Sequence, residues 1–167
     1  MFQALGVHGP VLTPLASMLV DIALVVAAFS FMVAAPRTNR MTVAALATLV
    51  VSVAAVRVLM QPLPNVQPVT VAVLLVGAHL GVRRGASFAI LVTLLSNLLI
   101  SHGWWTLFQA LGWASIAVVG ARARLIENGN LNLPRLCFFA AASGPLFGFI
   151  ATLSLIAPGL TLSLIHI

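Results

Sequence analysis

The residues equipped for chemistry are few, and most fall in two stretches, PLPNVQP (residues 62–68) and SNLLISHGWWTLFQ (residues 96–109). Arg57 lies just before the first stretch and Trp113 just after the second. Asn65, Gln67, Asn97 and Gln109 are neutral amides, each able to donate and accept hydrogen bonds. An unpaired amide inside an apolar run is expensive, so Asn97 and Gln109 must bond either to neighbouring helices or to something held in a cavity. Arg57 either snorkels to an interface or lines a cavity and meets a ligand's polar group. The tryptophans, Trp104, Trp105 and Trp113, serve either as an interfacial belt or as an aromatic wall for a planar ligand.

This is a chemistry of recognition. Ser101 and His102 are adjacent, so on a helix they point about 100° apart and do not face each other for proton exchange. With no GxSxG elbow in the chain, an enzyme is not expected. His8, His79, His102 and His166 show no ligand spacing and Cys137 is single, so neither a metal site nor any cofactor is expected.

The elements that must position these groups are membrane helices. The chain is 62% hydrophobic and only 6% charged, with a mean hydropathy of +1.17, against about 25% charged residues in soluble domains. The net charge is +6, and all eight basic residues are arginines, in short runs between apolar segments. They form no basic patch, which argues for membrane orientation and against nucleic acid.

Six apolar segments are delimited by charge, proline and glycine: residues 11–35, 41–60, 68–81, 85–101, 106–121 and 136–157. They lack the alternation of barrel strands, so the expected fold is an all-α bundle of about six transmembrane helices. Arg37 and Arg40 follow the first segment, Arg83 and Arg84 the third, and Arg122, Arg124 and Arg135 flank the link after the fifth. The positive-inside rule then places the amino terminus outside and the arginine loops in the cytoplasm. The two polar stretches share the outer face, and the prolines of PLPNVQP hold their amides on a stiff frame.

Small residues mark helix contacts: Ala44, Thr48 and Ser52 form one stripe, Gly77 and Gly81 a second, and Ala140, Gly144 and Gly148 a third. Each suits packing within the bundle or docking of another membrane protein. Asp21, in the first segment, is expected to make a structural polar contact with a neighbouring helix, and Glu127 to be solvated in the turn ENGNLNLP.

In order, Arg57, PLPNVQPVT, GVRRGA, SNLL and HGWWTLFQALGW resemble the substrate-specific (S) components of energy-coupling factor transporters, which import vitamins and related micronutrients. The resemblance spans about residues 42–157. It rests on Pro64, Asn65, Val66, Pro68, Val69, Thr70, Gly85, Ala86, Ser96, Asn97, Gly103, Trp105, Thr106, Gln109, Gly112 and Trp113. Trp104 stands where the motif has proline, and Leu107 and Phe108 replace its proline and tryptophan.

The resemblance implies an S-component-like core over residues 41–157 in a single transmembrane domain of residues 1–161. Residues 11–35 would be an extra amino-terminal helix, and the family's last helix would be lacking. Leu162 to Ile167 read as a non-native tail on a truncated fragment. Also implied are a bacterial plasma membrane location, a shared coupling subunit and cytoplasmic ATPases as partners, and capture of a vitamin-type ligand, with a cobalamin-like compound as the first guess. The expected substrate-binding set is Arg57, Asn65, Gln67, Asn97, His102, Trp104, Trp105, Gln109 and Trp113, with Ala44, Thr48 and Ser52 docking the coupling subunit. A stand-alone secondary transporter or an intramembrane enzyme is the alternative.

Overall fold

The computed structural model describes residues 5–6, 9–10, 12–35, 43–63 and 68–156. Among these residues five helices carry the architecture: α1 (Pro14–Val33), α2 (Val43–Leu59), α3 (Pro68–Ile100), α4 (Trp105–Arg122) and α5 (Leu133–Ile156). Two minimal antiparallel pairings accompany them, β1 (Leu5–Gly6) with β2 (Gly9–Pro10) and β3 (Ile126–Glu127) with β4 (Asn130–Leu131). Among the described residues three helices are long and apolar enough to cross a membrane, Pro14–Val33, Pro68–Ile100 and Leu133–Ser154; α2 is apolar but shorter. The all-α class expected of a membrane protein is therefore present.

Each helix starts where its sequence allows. Pro14 occupies the first turn of α1, and the Thr13 hydroxyl caps that turn by accepting from the Ala16 amide at 3.3 Å. Pro68 is the first residue of α3. Between α4 and α5 the link turns through Asn128 and Gly129, both at positive φ (52° and 79°), the pairing favoured in tight hairpins. Glu127 meets the Arg135 guanidinium across this hairpin, so it is ion-paired as well as exposed to solvent.

α3 organises the rest. Its backbone breaks at Gly81 (φ 81°, ψ 174°), a conformation that L side chains rarely adopt. The arms of residues 68–80 and 82–100 correspond to the third and fourth apolar segments of the sequence. They fold together closely enough that a Cβ on Gly85 would sit 2.9 Å from the Gly77 Cα and 3.0 Å from the Ala117 Cβ. Gly77 in turn lies against the Ala117 backbone and Gly120 against that of Leu74, so α3 and α4 meet through bare backbone.

Around this junction one core gathers Leu46, Val50 and Ala54 of α2, Val69, Val73, Phe88 and Val92 of α3, and Trp113 and Ile116 of α4. A smaller cluster seats Leu24 and Ala28 of α1 on Ile90, Leu94 and Ala110. Half of the apolar window of α3 is buried (50%) against 11% for α1 and for α5, which places those two at the periphery. Their outward faces carry Leu15, Leu19, Ile22, Phe29, Phe138 and Phe149, a surface suited to hydrocarbon.

Two opposite ends result. Arg83 donates to the Ala34 carbonyl at the end of α1. Thirteen residues along the same helix, roughly 20 Å at 1.5 Å per residue, stand Ser96 and Asn97. α4 runs antiparallel to this arm, pairing Asn97 with Thr106 and Gly85 with Ala117, so Arg122 ends up on the Arg83 side. Arg57 is thus separated from the arginines of the α3 turn and of the α4–α5 link.

Candidate functional site

Arg57 reaches the site from the last turn of α2. Its guanidinium donates through Nη1 to the Ser96 hydroxyl and to Asn97 Oδ1 (2.7 Å), and through Nη2 to Gln109 Oε1 (3.3 Å). Asn97 is almost fully buried and in turn donates through Nδ2 to Thr106 Oγ1 and to Gln109 Oε1, both at 2.9 Å. The Ser96 hydroxyl donates to the Val92 carbonyl at 2.6 Å, which leaves its lone pairs for Arg57. An arginine can only donate, so the oxygen of each amide must face it, and this fixes both amide orientations.

The aromatic support is equally specific. The Arg57 guanidinium carbon stands 4.7 Å from the Trp113 ring centroid, a cation–π distance. Phe147 of α5 stacks on Trp113 with centroids 4.5 Å apart and planes at 29°. With only 1% of its surface exposed, Trp113 is held as a platform for Arg57. Trp104 packs edge-on against Phe108, centroids 5.3 Å apart.

A second polar pair adjoins the first. His102 Nε2 lies 3.1 Å from Asp21 Oδ1 of α1, and its Nδ1 is 3.5 Å from Thr106 Oγ1. Distance alone makes His102 and Asp21 a pair: neither atom has a hydrogen bond of good geometry. The polar contact of Asp21 is thus made to the segment between α3 and α4, and it ties the peripheral α1 to the site.

Beside the network opens a cavity of about 360 Å³ between α4 and α5, lined by Ser101, Trp105, Gln109, Gly148, Ala151, Thr152 and Ser154. Gln109 belongs to both: its oxygen is engaged by Arg57 and Asn97, while its side chain forms part of the cavity wall.

Of the residues expected from sequence to bind a substrate, Arg57, Asn97, Gln109 and Trp113 are brought together, His102 adjoins them through Thr106, and Trp105 lines the cavity. Trp104 packs edge-on against Phe108. Asn65 and Gln67 lie outside the described residues. Ala44, Thr48 and Ser52 are all exposed on α2, away from the buried Leu46, Val50 and Ala54. Gly77 is consumed by packing, whereas Gly144 and Gly148 have nothing within 4 Å of a Cβ position. Sequence reasoning did not assign Ser96 and Thr106 to the site, although both sit inside the quoted motifs, and it missed the contribution of α5.

Neither a family model, nor a curated protein, nor a solved structure matches the chain.

Proposed function

We propose that this chain is the substrate-binding membrane subunit of an energy-coupling factor importer, which captures a small vitamin-type micronutrient at the outer face of a bacterial plasma membrane. The observation that carries the proposal is the convergence of Arg57, Ser96, Asn97, Gln109 and Trp113. They come from three separate stretches, the same stretches that resemble S components, and they surround one polar centre beside a cavity. In this reading α1, α2, the two arms of α3, α4 and α5 make six spans, with the amino terminus outside and the arginine-bearing turns in the cytoplasm.

The ligand enters at the Arg57 end, and the open stripe of Ala44, Thr48 and Ser52 receives the coupling subunit. Cytoplasmic ATPases supply the energy, because the chain has no phosphate-binding loop of its own. A cavity of about 360 Å³ stands near the lower end of the roughly 300–1,000 Å³ typical of sites for drug-sized ligands. One observation favours a stand-alone carrier instead: Asp21 and His102 form an ionisable pair within the apolar body, as ion-coupled transporters use.

Coexpression with a coupling subunit and its ATPases separates the two. Copurification, together with uptake that depends on ATP hydrolysis, is expected; uptake by this chain without the module would refute the proposal.

A further inference from the structure

The chain contains only two acidic residues, and neither is paired with Arg57: Asp21 lies against His102 in the adjoining pair, and Glu127 is ion-paired with Arg135. Among the described residues, all three hydrogen-bond partners of Arg57 are neutral, and so is the indole beneath it. Neutral acceptors orient a guanidinium but do not cancel its charge, and in a low-dielectric interior an uncancelled charge acts strongly on anything that can approach it.

Gln109 lines the cavity and Arg57 stands one hydrogen bond behind it, and the unspent hydrogen-bonding capacity of both has one character. Arg57 has five N–H donors; three are used, and the Nε–H and one Nη2 hydrogen meet no acceptor among the described residues. Gln109, which lines the cavity, turns its oxygen to Arg57 and Asn97, and its NH2 group meets no acceptor among the described residues. Two neighbouring groups therefore offer donors. The bond from Nη2 to Gln109 is also the longest of the three at 3.3 Å, and so the one most readily exchanged for a better acceptor.

We propose that the ligand of this site carries an anionic group, a carboxylate or a phosphate, held by the Arg57 guanidinium with the Gln109 amide beside it. The inference rests on the ligand-binding reading above and goes further, in fixing the ligand's charge. Ser96, Asn97 and Trp113 are positioning residues that aim the guanidinium.

The test uses the purified full chain in mild detergent and pairs of compounds that differ in charge at one group: nicotinate and nicotinamide, biotin and biotinamide, pantothenate and panthenol, riboflavin 5′-phosphate and riboflavin. Calorimetry measures each affinity, and native mass spectrometry identifies any small molecule carried from the cell. The anionic member of at least one pair should bind about tenfold or more tightly than its neutral twin, as a charge-assisted contact provides. Arg57→Gln should abolish that preference and Arg57→Lys should retain part of it. Gln109→Glu, which supplies an internal counter-charge, should weaken the anion at least as much while leaving Arg57 in place, so the result does not hang on the folding of one variant. Equal affinity for both members of every pair, a preference that survives both Arg57→Gln and Gln109→Glu, or a neutral copurified ligand overturns this inference and leaves the importer reading standing. Binding of no compound, together with no copurified molecule, overturns both.

Discussion

Replacing Asn97 by leucine removes the hub of the polar network without opening a cavity, because the two side chains are close in size. Three hydrogen bonds are lost: one accepted from Arg57 at 2.7 Å, and two donated to Thr106 and Gln109, each at 2.9 Å. A hydrogen bond to a charged group is worth about 1.5–3 kcal/mol, and neutral bonds between membrane helices average about 0.6 kcal/mol each. The loss is therefore about 3–4 kcal/mol, toward the upper end of single-substitution effects. Reversible unfolding in mixed micelles measures it. Ser115→Ala is the control, since among the described residues Ser115 bonds only to the Leu111 carbonyl of its own helix, and should change stability by less than about 0.5 kcal/mol. Asn97→Leu combined with Gln109→Leu should cost less than the sum of the two, because the substitutions share a bond; a coupling of about 0.5–3 kcal/mol is expected for residues in one network. A loss below about 1 kcal/mol, or strict additivity, would refute the argument that these groups act as one unit.

Other outcomes follow from the same geometry. Gly81→Val should destabilise the fold by about 1–3 kcal/mol, because it forces a β-branched residue to φ 81°; Gly81→Asn should cost less, as asparagine tolerates positive φ better. Unfolding in micelles distinguishes the two. Thr48→Trp, on the exposed face of α2, should abolish copurification with the proposed coupling subunit while leaving ligand affinity within about twofold, since surface changes away from a site rarely matter by more than about 0.5 kcal/mol.

How far these features could be read from sequence depends on where each one's cause lies. Asn97, Gln109 and Arg57 were legible because polar groups in apolar runs must find partners, and the chain offers few. The break in α3 was legible in outline from its glycines and the arginine turn; that Gly81 alone carries the positive φ was not, because Gly85 is equally permissive and is used instead for close packing against Gly77. Trp113 illustrates the opposite limit. Its size marks it as an aromatic surface, but whether that surface faces a ligand or a neighbour depends on Phe147, which arrives from α5. The Asp21–His102 contact joins α1 to the segment after α3, and no local pattern encodes such a pairing. Glu127 was expected to be merely solvated; the hairpin at Asn128 and Gly129 brings Arg135 to it, a consequence of turn geometry that composition does not reveal.

The central claim is that the Arg57 end opens to the outside of the cell, and accessibility tests it most directly. In a Cys137→Ser background, single cysteines at Ser101, which lines the cavity, and at Asn130, which is exposed in the link after α4, are treated in whole cells with a membrane-impermeant maleimide. Labelling of Ser101→Cys, with Asn130→Cys reacting only after the cells are permeabilised, is the predicted result. The reverse pattern would contradict the account.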